Sequence, residues 1–161
     1  MIRYDNRNIF VLGPVSDLNY FDCQTIKLQR PVSPLEAWNA IMAHPQPILK
    51  IAFRVRDAIS SKFGVKRIKG FSGARTRPVK VGERLDFFLV EHMSEDVIVL
   101  TERDRHLDVM TCVSTQDDTV SVTSSVQVHN FFGHLYMIPV GIAHRWIVRG
   151  MLKRLKTAVC A

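Results

Sequence analysis

The chain has 161 residues, of which 47% are apolar and 23% charged, and it carries a formal net charge of +7. This size and balance predict one globular domain over 1–161, long enough to bury a full core, and exclude an intrinsically disordered chain. Cys23, Cys112 and Cys160 stand far apart with no CxxC spacing, which argues against a disulfide framework and a structural zinc site and fits a reducing cytoplasm.

Residues 1–17 are mixed in character and are expected to form a peripheral arm or edge segment, and Met1-Ile2-Arg3-Tyr4-Asp5 contains no apolar signal core. A first strand is predicted over 20–29, where Phe21, Cys23, Thr25 and Lys27 alternate with Asp22, Gln24, Ile26 and Leu28. Arg30-Pro31-Val32-Ser33-Pro34 then turns into a short helix. Ser33 is its N-cap, Pro34 stands at N1 and Glu36 at N3 completes a capping box. Leu35, Trp38, Ile41 and Met42 form the apolar side of this helix, and His44-Pro45 stops it.

A second helix is predicted over 47–62, with Ile48, Ile51, Ala52, Val55, Ala58 and Ile59 as its stripe and Phe63-Gly64 as its stop. Residues 65–82 read as a basic connection. Strands follow at 85–93, 97–103, 107–115 and 119–130, with turns near Ser94-Glu95-Asp96 and Asp117-Asp118. The last of these has the cleanest alternation: Val120, Val122, Ser124, Val126 and Val128 against Ser121, Thr123, Ser125, Gln127 and His129. A Gly133, Tyr136, Pro139 turn then leads into a terminal helix on which Ala143, Ile147, Met151 and Leu155 recur every fourth residue. Consecutive strands joined by hairpins, with helices grouped before and after them, make an α+β layout.

The apolar-looking run at 138–152 is broken by His144, Arg145 and Arg149 and is too short and charged to span a bilayer, so a soluble cytoplasmic protein is expected. Charge is uneven. No acid lies between Asp57 and Glu83 or after Asp118, and Arg145, Arg149 and Lys153 form a basic stripe on the terminal helix. Such a stripe attracts phosphate, anionic lipid or an acidic partner, yet it is also the ordinary solvated face of a surface helix, and that plainer reading is preferred. Without interleaved aromatics or a recognised motif, no specific nucleic acid is expected.

Asp104, His106 and Asp108 are spaced i, i+2, i+4 and share one face if the strand already begins at Asp104. Two carboxylates and an imidazole can orient a proton-transferring His. A metal needs a further ligand, from His92 or His129, that the sequence does not bring near, so no metal or other cofactor is expected. A polar ligand anchor is the better reading, with a turn at Asp104 and plain hydrogen bonding at His106 and Asp108 as the alternative. His129-Asn130-Phe131-Phe132-Gly133-His134-Leu135-Tyr136 adds His129 and Tyr136 as acid–base candidates, while the two Phe residues are expected to pack the corner. No GxSxG, HExxH, GxGxxG or phosphate loop occurs, and Cys23 and Cys112 are expected to be buried thiols.

The order of strand, two helices, strands and a long helix resembles the helix-grip fold of START lipid-transfer domains, birch-pollen-allergen proteins and polyketide cyclases. Trp38, Arg56 before Phe63-Gly64, the Asp104-x-His106-Leu107-Asp108 segment, His129, Gly133, Tyr136, Pro139 and His144 together resemble an uncharacterised bacterial domain of unknown function in the START-like (SRPBCC) superfamily. Related domains occur alone or attached to NAD(P)-binding epimerase-like domains. The resemblance implies an antiparallel sheet wrapped around the terminal helix and a hydrophobic pocket, and it implies no activity or cofactor.

Three functions compete. The leading one is a cavity for a hydrophobic small molecule or lipid, on the order of 300–1,000 Å³. Its walls would be Trp38, Phe87, Leu89, Val99, Leu107, Val109, Val122, Val126, Tyr136, Ile147 and Met151, with Trp146 as a further candidate. The second is a cyclase- or aromatase-like enzyme using His106, Asp108, His129 and Tyr136, so whether the chain is an enzyme stays open. The third is a basic interaction surface making weak anionic contacts.

Overall fold

The computed structural model describes residues 1–5, 8–43 and 79–160, and the predicted second helix at 47–62 and the 65–78 part of the basic connection lie outside the described residues. In chain order the elements are β1 (Ile2–Asp5), β2 (Ile9–Val11), a 3-10 turn (Val15–Asp17), β3 (Tyr20–Lys27) and α1 (Pro34–Met42). They continue with β4 (Arg84–Leu85), β5 (Phe88–Met93), β6 (Val97–Arg103), β7 (Leu107–Gln116), β8 (Thr119–Val128) and α2 (Phe131–Cys160). Strands β3 to β8 form one antiparallel sheet in the order β3-β8-β7-β6-β5-β4, so the protein is α+β, with the first strand of the sheet returning beside the last.

Local chemistry explains most of the boundaries. Ser33 adopts an extended conformation and its Oγ accepts the Glu36 backbone N–H at 3.1 Å, capping α1 with Pro34 in the first turn. Glu36 itself turns to Arg30, at 2.7 Å, so the reciprocal half of the expected capping box is replaced by an ion pair. The β7–β8 hairpin closes over Asp117 and Asp118, with Asp117 in the left-handed region at φ 52°. That conformation is one short polar residues tolerate. Asp86, at φ 56°, splits the strand expected over 85–93 into β4 and β5. The tight reversal there is hidden in sequence by the run of apolar residues around it.

The terminal helix begins earlier than expected. Asn130 caps it by accepting the Gly133 N–H at 3.1 Å, so Gly133, Tyr136 and Pro139 lie inside α2 rather than in a turn before it. Leu135 and Pro139 are both on the exposed side, where water can take the carbonyl that a proline leaves without its helical donor.

Strand alternation divides the core into two layers. On the inner face, Ile98, Leu100, Val113, Val120 and Val122 pack against Trp38 and Ile41 of α1 and Ile147, Val148, Met151, Leu152 and Leu155 of α2. Each such fully buried side chain contributes about 1.5–3 kcal/mol. On the outer face, Val97, Val99, Met110 and Cys112 pack against Phe10 and Leu12. Residues 1–17 are therefore more than a loose arm, since Ile9 and Val11 are fully buried. The Phe10 N–H reaches Cys112 Sγ at 3.4 Å, the Leu12 N–H reaches Ser125 Oγ at 3.2 Å, and the Asn8 amide donates to Asp96.

Candidate functional site: an apolar cavity with a polar trio

Between α1, α2 and the inner face of the sheet lies a cavity of about 260 Å³, just under the size expected from the sequence. Register builds its floor. Val109 sits opposite Val126, Thr111 opposite Ser124 and Val113 opposite Val122, and all six line the cavity. Residues opposite each other in a ladder share a face, so two apolar rows enclose one hydroxyl row. The helix α2 roofs this floor with Tyr136, Met137, Val140, Ala143, Ile147 and Met151.

Of the residues predicted to wall a cavity, Trp38, Phe87, Leu107, Val109, Val122, Val126, Tyr136, Ile147 and Met151 line this one. Val99 does not, because odd-numbered β6 residues face the outer layer; Leu89 shares that face through its partner Thr101. Trp146 is 68% exposed and does not line the cavity.

A polar trio interrupts the apolar wall. The Tyr20 hydroxyl lies 3.3 Å from His144 Nδ1, and His144 Nε2 lies 3.5 Å from Ser124 Oγ. All three residues line the cavity. Burial pushes the Tyr20 phenol up to about 12, with the Asp22 carboxylate adding to the effect and Arg145 opposing it. Burial also holds His144 below the ordinary imidazole value, against the pull of Asp22. A neutral imidazole has one donor and one acceptor nitrogen, and the Tyr20 and Ser124 hydroxyls, each able to donate or accept, stand one at each. Beside the trio, Gln24 donates to the Arg145 carbonyl at 3.0 Å and Asp22 pairs with Arg145 at 3.7 Å, tying β3 to α2.

The Asp104, His106, Asp108 constellation does not share one face. Asp104 sits in the turn before β7, where its Oδ1 accepts the backbone N–H groups of His106 (2.7 Å) and Leu107 (3.0 Å). The strand begins only at Leu107, so its alternation sends Leu107 and Val109 inward and Asp108 outward. His106 is buried at the cavity end, its ring 4.7 Å from that of Phe132. The Arg105 Nε–H donates to its Nε2 at 2.9 Å, which leaves Nδ1–H to donate to Asn130 Oδ1 at 3.1 Å. Asp108 instead meets His129 at 3.0 Å and Arg103 at 3.8 Å, and Arg103 reaches Glu91 at 2.9 Å. Of the four acid–base candidates, His106 and Tyr136 line the cavity, whereas Asp108 and His129 meet each other outside it.

The trio was not singled out by sequence. One signal was present: Ser124 breaks the valine row Val120, Val122, Val126, Val128. Among the described residues no three His, Cys, Asp or Glu side chains gather as metal ligands, and no described helix is long and apolar enough to cross a membrane.

The model of a family described as "Protein of unknown function (DUF2867)" matches residues 14–151. No curated protein and no solved structure matches the chain.

Proposed function

This chain belongs to the DUF2867 family, a protein family of unknown function, and we propose that it binds a hydrophobic small molecule or lipid between the sheet and α2. The observation that carries this reading is one apolar cavity interrupted by the Tyr20–His144–Ser124 trio. Ligand sites are commonly concave and apolar with a few convergent polar groups, and this cavity has that composition. In the same reading the sheet and its long terminal helix are a helix-grip arrangement of the START-like kind, in which the helix forms one wall of the binding cavity.

The electrostatics narrow the ligand. Glu102 and Asp104 stand at the wall, and no Lys or Arg is among the described lining residues. Among the described lining residues a carboxylate ligand would meet no cation, whereas an alcohol or ketone finds an imidazole, a phenol and a serine hydroxyl to pair with. The described lining therefore favours an apolar molecule with an uncharged hydrogen-bonding group.

Native mass spectrometry of the purified protein, with identification of whatever is released on denaturation, tests the proposal. A near-stoichiometric apolar compound is the expected result. The Ala143→Phe variant, which places a ring in the cavity, should fold and lose that compound. If neither wild type nor variant retains or takes up any apolar probe, the proposal fails.

A further inference from the structure

The outward side of α2 carries a feature unrelated to the cavity. Phe131 (83% exposed), Leu135 (57%), Ile138 (64%), Ile142 (64%) and Trp146 (68%) follow one another at intervals of four, three, four and four residues. Those intervals keep all five on one helix face, a stripe about 22 Å long at the helical rise per residue. The same spacing continues through Arg149, Lys153 and Lys156, all exposed. The opposite face of the helix is occupied in the core by Ile147, Val148, Met151 and Leu155. Among the described residues the stripe takes no part in the core, and five large apolar side chains in a row on a surface mark a contact site.

Charge decides what makes the contact. From Thr119 to the end of the chain there are five Lys and Arg residues and no Asp or Glu. A second copy meeting stripe to stripe would bring two such cationic helices together with no acid on either to offset them. A surface that is apolar within and anionic at its boundary complements both halves of the stripe at once. We propose that the outward face of α2 docks on an anionic lipid membrane surface, with Phe131, Leu135, Ile138, Ile142 and Trp146 entering the acyl boundary and Arg149, Lys153 and Lys156 meeting the headgroups. The helix lies on the membrane and does not span it. This inference stands independently of the cavity, although the two meet in the first turns of α2. There Phe132 and Tyr136 line the cavity while Phe131 and Leu135 point outward.

The test uses the full chain with vesicles of phosphatidylcholine alone and of phosphatidylcholine mixed with phosphatidylglycerol, read by co-sedimentation and tryptophan emission. The chain has two tryptophans, and Trp38 is already buried, so a blue shift reports Trp146. Binding to the anionic vesicles only, with a blue shift and weakening at high salt, is the expected result. The Ile138→Ser/Ile142→Ser variant, altered only at exposed positions, should lose affinity on the order of tenfold or more. Lys153→Gln should weaken binding by about fivefold. Three results overturn the proposal: no vesicle binding, binding that the Ser variant leaves unchanged, or self-association of the free protein that the Ser variant abolishes.

Discussion

The Tyr20 hydroxyl and His144 Nδ1 stand 3.3 Å apart although 124 positions separate them in the chain. The contact fastens the first strand of the main sheet to the middle of the terminal helix. The ring planes meet edge to face, at 82° and 5.7 Å, so the pair is packed as well as hydrogen-bonded.

His144 makes the fold sensitive to acid. Its folded pKa lies below the ordinary 6.5 because the ring is buried. Above pH 6.5 the folded and unfolded chains both hold it neutral, and its contribution is constant. As pH falls below 6.5 the unfolded chain takes up a proton that the folded site resists, so stability declines until the folded pKa is passed. Urea denaturation between pH 7.5 and 5 should show this loss, with a slope from this one group of at most about 1.4 kcal/mol per pH unit. His144→Gln, which keeps hydrogen-bonding capacity without titrating, should have a shallower acid limb. Identical slopes in wild type and variant would sink the assignment.

Cys112 should be a silent thiol. Burial raises it from 9.0 to about 12, and the Phe10 N–H that points at its sulfur only partly offsets this. The thiolate fraction at a given pH is then lower by on the order of a thousandfold than in an unfolded chain. Iodoacetamide labelling followed by peptide mapping should find Cys112 unmodified in the native protein and fully modified in denaturant. The same shift removes stability as pH rises above 9, where the unfolded thiol ionises first.

Asn130 joins three things: the first turn of α2 through Gly133 N–H, the turn before β7 through the Arg105 carbonyl at 2.9 Å, and the His106 imidazole. Asn130→Ala should cost about 1–2 kcal/mol in chemical denaturation. Asn130→Asp should recover part of that loss, because it still accepts from Gly133 and adds a negative charge at a helix N-terminus.

Gly133 is required for space. A Cβ there would lie 2.6 Å from the His106 carbonyl oxygen and 2.6 Å from Val128 Cγ1. The oxygen belongs to backbone that also accepts the His129 N–H at 2.8 Å, so it has little room to yield. Gly133→Ala should destabilise by about 1–3 kcal/mol, although alanine favours helix elsewhere. An unchanged midpoint would show that the strand-to-helix corner can open.

What was legible in the sequence was whatever depends on neighbours along the chain. The alternation from Val120 to Val128, the Ser33 cap and the fourfold spacing of Ala143, Ile147, Met151 and Leu155 all describe local geometry, and β8, α1 and α2 carry them. What failed depended on phase or on distant packing. Whether Asp108 points with or against His106 turns on the single residue at which β7 starts. Ser121, Thr123 and Ser125 are the polar side of the β8 alternation, yet all three are buried, and the N-terminal hairpin reaches that side at Ser125. The trio needs β3, β8 and α2 to converge, which no local pattern encodes.

The family match begins at residue 14, whereas β1 and β2 end at Val11. Anyone trimming the chain to the shared family boundary would therefore discard part of this protein's own core. Val97, Val99, Met110 and Cys112 would lose the cover of Phe10 and Leu12, and a sheet surface with no evolved affinity for solvent would be left bare. A shortened protein prepared that way would report on stickiness and thiol oxidation of its own making rather than on the natural domain. A chain that keeps the N-terminal hairpin is consequently the proper starting material for any ligand or membrane experiment.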